Sequence, residues 1–379
     1  MARALVLGAG FGGITAALEL HRLLGPQHEV VLVDEGASFR MGLANLWLLD
    51  GRREPGEGQR PLAALQAKGI HVKQGRVDAI DAASRTATVG GEILPSDGIV
   101  IALGARLAPE ATPGFSAVHN LYEESGAAAF GKALQEFRGG RVLVQMCAMP
   151  FKCPPAPYEA ALIAADVLKQ RGVKAEIHLA TPEPHPLPVA PPEVGGRLLP
   201  ILKDAGIHYH PGCKPVGFTP GAVEWETGGG LAFDLAAAVP VHQAPQVVAA
   251  SGLAGPTGFI PVDARTMATK AAGIYAVGDV ASVPLPNGKP MPKAGVLAEA
   301  QGRTAAAHLA RELTGLSNPA AFDGKGTCFI ELGAGQALPA EGDFFATPTP
   351  TFTFRPASSQ GLREKEQFEA SRLTAWFGP

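Results

Sequence analysis

Arg3-Ala4-Leu5-Val6-Leu7-Gly8-Ala9-Gly10-Phe11-Gly12-Gly13 decides the fold of this chain, together with the helical pattern that runs on to Leu24 and the apolar run Val30–Val33 that ends in Asp34. A short apolar run breaks into GxGxxG, a 3.6-residue pattern follows, and a second apolar run delivers an acid 21 residues after the last glycine of the motif. That order is strand, turn, helix, strand, acid. Gly8 permits the tight turn. Gly10 lets the backbone approach a pyrophosphate, whose charge the free N–H groups of the helix start stabilise. Gly13 allows the helix to pack close to the strand, and Asp34 accepts hydrogen bonds from a ribose. The stretch reads as a dinucleotide-binding βαβ unit.

Around it lie 379 residues, enough for two or three domains and a substantial core. Apolar residues make up 46% and charged residues only 18%, and Gly (47) plus Pro (34) account for about a fifth of the chain, which excludes a coiled coil and a disordered tail. A net charge of −3 supplies no basic field for nucleic acid. The first residues, MARALVLGAG, break at glycine too soon for a secretory h-region, and no apolar stretch approaches the length of a transmembrane helix. A cytoplasmic protein is expected, with contact at the inner membrane face left open. Four cysteines in a reducing compartment point to catalysis or metal binding before structure.

Two further segments resemble the later fingerprints of the two-dinucleotide-binding-domain flavoproteins. Ser96–Ala105 is an apolar strand ending in the small turn Ala102-Leu103-Gly104, with Leu where that superfamily usually has Thr, and Gly273–Val280 is another short strand that delivers Asp279. The resemblance implies FAD as the dinucleotide, with Gly104 at the turn and Asp279 on the ribityl chain. An α/β fold follows, with two Rossmann-like domains and a C-terminal interface segment. The FAD domain is discontinuous, 1–105 plus 245–320, a second unit at 106–244 is inserted, and 321–379 is an aromatic-rich strand and helix segment. The inserted unit opens with the strand Arg141–Gln145, but the turn after it, Met146-Cys147-Ala148-Met149-Pro150-Phe151-Lys152-Cys153-Pro154-Pro155, contains no glycine. Side chains would block a pyrophosphate, and the prolines remove N–H donors. The βαβ scaffold is expected to persist without its nicotinamide site.

Cys153 stands just before a helix whose start contains Pro155 and Pro157. The helix dipole and the neighbouring Lys152 are expected to lower its thiol pKa toward ~3.5–7.5. Glu159, six residues on, is a candidate proton shuttle. Cys328 lies in a later strand, Gly326–Gly333, and Cys147 is a rival partner for Cys153; four cysteines allow three complete pairings, and the residues alone leave them open. Cys213 reads as a bystander in a loop. There is no CxxC and no HxxxH, so no metal site is expected.

Lys152-Cys153-Pro154-Pro155-Ala156-Pro157-Tyr158-Glu159-Ala160 resembles the active-site segment of the sulfide-oxidising flavoproteins, the flavocytochrome c sulfide dehydrogenase flavoprotein subunits and the sulfide:quinone oxidoreductases. Pro290–Gly302 is similar to their flavin-packing segment, Thr327-Cys328-Phe329 to the one carrying the second redox cysteine, and Gly361–Gly378 to their C-terminal helix. The resemblance implies a redox-active Cys153–Cys328 disulfide over FAD, Glu159 as acid/base, and Lys293 at the pyrimidine edge of the flavin, where positive charge stabilises its reduced form. It further implies oxidation of sulfide to polysulfide or sulfane sulfur, with electrons passed to a quinone or another acceptor; a persulfide or other small thiol is the rival substrate. The segment Ser38–Leu46 lacks the cysteine to which the flavocytochrome subunits attach FAD, so noncovalent FAD is expected and a cytochrome partner is disfavoured. From Ala321 on lie eight of the seventeen Phe plus Trp376, either an apolar channel for a quinone, a face against lipid, or a lid or homo-oligomer interface. The rival readings are an NAD(P)H-dependent quinone or disulfide reductase on the same fold and a non-catalytic FAD-bearing protein.

Overall fold

In the computed structural model, which describes residues 1–315 and 319–378, the glycine motif joins strand β1 (Arg3–Leu7) to helix α1 (Phe11–Leu24), and β2 (Glu29–Asp34) follows. Strands β3 (His71–Gln74) and β4 (Gly98–Ile101) complete the first pass. The chain then builds β5 (His119–Asn120), β6 (Gly140–Met146), helix α2 (Ala156–Gln170), β7 (Ala175–Ala180), β8 (Ile207–His210) and β9 (Leu235–Val239). It returns through β10 (Ile274–Ala276) and the long helix α3 (Gly295–Thr314). An antiparallel trio, β11 (Lys325–Gly333), β12 (Gln336–Asp343) and β13 (Thr351–Phe354), leads into helix α4 (Ser359–Phe377).

Two five-stranded parallel sheets result. The first has the order β10-β4-β1-β2-β3 and the second β5-β9-β6-β7-β8. Four neighbours in each sheet repeat one pattern: a central strand, the strand after its helix, the next strand outward, and a later strand added on the other side. The central strands are apolar for most of their length because both faces are covered, as parallel sheets require; Ala4 to Leu7 and Val142 to Val144 have no exposed surface. The α/β class and the pair of Rossmann-like units follow the sequence pattern. Strand β10, far along the chain, pairs with β4 in register Ile274 to Ile99, so the first sheet is closed by residues from beyond the second.

The helices of the first unit meet through missing side chains. A Cβ on Gly302 would stand 2.4 Å from the Gly12 carbonyl oxygen, so α1 and α3 pack backbone to backbone. Helix α4 starts at Ser358, whose hydroxyl accepts from the Gly361 N–H. Its buried stripe, Leu362, Lys365, Glu369, Leu373 and Trp376, carries two charged residues among the apolar ones.

Candidate active site

The carboxyl ends of the parallel strands open on one cavity of about 1120 Å³. Gly8, Gly10, Asp34, Gly104 and Asp279 line it from the first unit, and Lys152, Cys153 and Glu159 from the second. The glycines divide the work. Gly8 has φ +103°, and a Cβ there would lie 2.3 Å from the Ala102 carbonyl oxygen; one on Gly13 would lie 1.8 Å from the Gly8 oxygen. A Cβ on Gly10, by contrast, meets nothing within 4 Å, so bare backbone faces the cavity there. The Asp34 carboxylate accepts from the N–H groups of Ala9 (2.6 Å) and Gly36 (2.8 Å), which ties the acid to the turn. Asp279 is half-buried against the cavity; loss of water raises its pKa, opposed by Lys293 and Lys152. This set of residues fits an FAD, with an open glycine turn for its phosphates and two acids for its ribose and ribityl hydroxyls.

Cys153 enters from the other side. Its φ of +50° is left-handed, uncommon for a residue with a side chain. Three bonds hold it: its N–H donates to the Lys293 carbonyl (2.7 Å), and its own carbonyl accepts from the Ala156 N–H (2.9 Å) and from the Tyr122 hydroxyl (3.2 Å). Cys328, on β11, lines the same cavity, beside Thr327 and Phe329. Cys147 does not; it is buried in a cluster that Cys213 packs against. All four cysteines are free thiols. The expected lowering of the Cys153 pKa does not hold. Burial, then the neighbouring Glu159 and Cys328, push that thiol up to about 12, and burial with Glu159 pushes Cys328 up to about 11. The physical reason is that Cys153 stands three residues before the helix, and burial with the charges of Glu159 and Cys328 outweighs the lowering by Lys365 and the Ala156 N–H.

Glu159 is 1% exposed. Its Oε1 accepts from the Glu331 N–H (2.7 Å) and from the Lys365 ammonium (2.5 Å), and that ammonium also donates to Glu331 (3.1 Å). Burial raises the pKa of Glu159 in spite of Lys365, and the two carboxylates raise that of Lys365 in spite of its burial. Arg52 and the Trp47 indole N–H complete the cluster on Glu331. Lys365, Glu331 and Arg52 are residues of the candidate site that sequence reasoning missed. The available signal was a lysine in the apolar stripe of α4. Lys293 is 8% exposed, donates to the Asp279 main-chain oxygen (2.5 Å) and lies 3.6 Å above the Phe259 ring; burial pushes its pKa down to about 8.

The aromatic C-terminal segment covers the first unit. Trp376 packs edge-on against Phe11 and Phe39 (5.4 Å each), and Phe377 stacks on Phe39. Phe329 and Phe368 both line the cavity with ring centres 6.3 Å apart. Lid and cavity wall are therefore the same segment.

A family profile described as pyridine nucleotide-disulphide oxidoreductase matches residues 2–143 and 158–310. The chain belongs to that family. It is a flavin-dependent oxidoreductase, and the resemblance to the sulfide-oxidising flavoproteins is borne out. A second profile, the central part of the sulfide dehydrogenase (flavocytochrome c) flavoprotein chain, matches residues 129–185, the stretch that carries Cys153 and Glu159. The mitochondrial sulfide:quinone oxidoreductase of Mus musculus is 22% identical over 373 residues, covering 92% of this chain and 80% of the mouse protein. The sulfide:quinone oxidoreductase of the hyperthermophilic bacterium Aquifex aeolicus has the same fold, with a TM-score of 0.87 at 22% identity over 100% of this chain and 92% of that one. An NAD-dependent persulfide reductase from A. fulgidus is similar at TM-score 0.69 and 20% identity, over 90% of this chain and 64% of its own.

The pyridine nucleotide of the family name does not fit the second unit. In the first turn of α2 the Ala156 N–H is engaged, Pro157 has none, and the Glu159 N–H donates to the Pro155 carbonyl (3.0 Å). Glu183, the acid beyond β7, is 2% exposed and accepts from the Tyr158 hydroxyl (2.5 Å).

Proposed function

We propose that the protein oxidises sulfide, as hydrosulfide, to polysulfide or sulfane sulfur through Cys153 and Cys328, with noncovalently held FAD and a quinone as the electron acceptor. The observation that carries this reading is the convergence of two cysteines from opposite halves of the chain on the cavity that Gly10, Asp34, Gly104 and Asp279 line. Hydrosulfide adds to one sulfur of the oxidised pair, the S–S bond breaks, and the other sulfur leaves as a thiolate, so atoms and charge balance. Lys365 favours that thiolate, since its charge opposes the rise in pKa at both cysteines. Glu159 holds or passes the proton that the sulfur loses. FAD, when bound, supplies two-electron acceptor chemistry. Gly8, Gly10, Gly13, Asp34, Gly104 and Asp279 hold it, and Lys293 brings positive charge to its ring.

Phe329 and Phe368 support the quinone, because both rings line the cavity, 6.3 Å apart, and give its wall an apolar aromatic patch. Among the described residues no helix is long and apolar enough to cross a membrane. A quinone acceptor then implies peripheral contact with the inner membrane face, on the cytoplasmic side. The division into 1–105 with 245–320 for FAD, 106–244 for the cysteine unit and 321–379 for the lid belongs to the same reading.

Anaerobic titration of the flavin-loaded protein tests it. Sulfide is expected to bleach the flavin and NADH to leave it unchanged, and Cys153→Ser or Cys328→Ser to slow bleaching by about 10³-fold or more while flavin content is retained. Rapid bleaching by NADH with none by sulfide overturns the reading in favour of an NAD(P)H-dependent reductase.

A further inference from the structure

Six cationic side chains line the cavity: Arg40, Arg76, Arg106, Lys152, Lys293 and Lys365. Five are engaged. Arg40 is bonded to Asn45 (2.5 Å) and Glu124 (3.0 Å), Arg76 to Asp78 (3.0 Å), and Arg106 to Glu110 and Gln243 (2.5 Å each). Lys293 is bonded to the Asp279 main-chain oxygen, and Lys365 to Glu159 and Glu331. Lys152 alone, among the described residues of this wall, makes no hydrogen bond through its ammonium and no ion pair within 4.0 Å. The ammonium lies 6.0 Å from the centre of the Tyr122 ring, and its charge is felt by Asp279, on which Lys293 acts more strongly, and by the buried His242.

The main chain of Lys152 is fixed even though its tip is free. The Tyr122 hydroxyl donates to the Lys152 carbonyl (2.7 Å), Lys152 bridges Lys293 in parallel, and the next residue is the left-handed Cys153. The backbone that carries this unpaired cation is thus fixed next to Cys153, on the wall of the same cavity. The chemistry proposed above needs such a charge. Hydrosulfide brings one negative charge into a wall that already holds Glu159, and that charge stays as thiolate when the S–S bond opens. Lys365 is shared between two carboxylates and the departing thiolate, so the incoming anion calls for a cation of its own.

We propose that Lys152 is the anion subsite of the cavity, which draws a small sulfur anion, hydrosulfide, to Cys153. The inference rests on the sulfide reading for its substrate but not for its charge, so two arms separate them. In the first, the reduced, FAD-loaded protein is alkylated with iodoacetate and, in parallel, with neutral iodoacetamide, and modification of Cys153 is followed by peptide mass. The ratio of the two rates is expected to fall about tenfold in Lys152→Gln and to stay within threefold of the unsubstituted protein in Lys152→Arg. Because a change in thiol pKa or packing acts on both reagents, the ratio reports the local charge. In the second arm, the sulfide concentration for half-maximal bleaching rate is expected to rise about tenfold in Lys152→Gln with the saturating rate within about twofold. An unchanged alkylation ratio overturns the subsite. A ratio that falls in a protein whose flavin sulfide does not bleach leaves the anion subsite standing and overturns the sulfide reading.

Discussion

The two central strands, β1 and β6, sit at the same place in sheets of the same order, yet the turns that follow them do opposite things. After β1 three residues, 8–10, reach α1; after β6 nine residues, 147–155, reach α2. The short turn has lost its side chains and presents bare backbone to the cavity at Gly10. The long one carries side chains and prolines and presents a cysteine whose left-handed backbone is pinned by three hydrogen bonds. One scaffold therefore presents bare backbone to the cavity in one copy and a sulfur in the other. The lesson is that a Rossmann turn sets where a group is presented, and its composition sets which group.

Gly13→Val attacks the first turn directly. Its Cβ would fall within 1.8 Å of the Gly8 oxygen, so flavin is expected to be lost and stability to drop by about 4 kcal/mol, read from the flavin absorbance of the purified protein and its urea midpoint. A variant that keeps its flavin would break the assignment of the cradle to that turn. Next in size, Lys365→Met strips the second turn's Glu159 of its cation and leaves two buried carboxylates together; a loss of about 3–5 kcal/mol is expected by the same measurement. Glu159→Gln on that background should recover part of it.

The acids beyond the matching strands sharpen the contrast through pH. Asp34 is bonded by two N–H groups, whereas burial pushes the Glu183 carboxyl up to about 7 from its ordinary 4.5. A raised carboxyl favours the folded state in its neutral form. Its contribution is complete below about pH 4.5 and is lost as pH rises through 7, a total of about 3 kcal/mol. Glu183→Gln is expected to flatten the fall in stability between pH 5 and 8; an unchanged slope would assign it to other groups. The smallest effect belongs to Tyr158→Phe, which removes the hydroxyl donor to Glu183 and should cost about 1–2 kcal/mol by thermal unfolding at neutral pH.

What could be read in advance was local. The strand, turn and helix from Arg3 to Leu24 rest on residues adjacent in sequence, and the bounds of β1 and α1 match the pattern. The absence of glycine from the second turn was equally plain. The cluster of Arg52, Glu159, Glu331 and Lys365 was not, because its four members come from four separate segments and each looks like a solvated surface charge on its own. The acidity of Cys153 was misread for a related reason. A dipole argument uses only the neighbouring helix, while the thiol responds to Glu159, to Cys328 and to the loss of water, all set by tertiary packing. The C-terminal aromatics showed as an enrichment, but Phe11 and Phe39 as their partners depend on how α4 crosses the first unit.

The contact of Trp376 with Phe11 has a consequence for how the protein is made. The glycine turn is made before β10, and β10 before the ring that caps the start of the turn's helix. The pocket around the turn therefore closes only when segments far along the chain have packed against it, so its completion is a long-range step of folding.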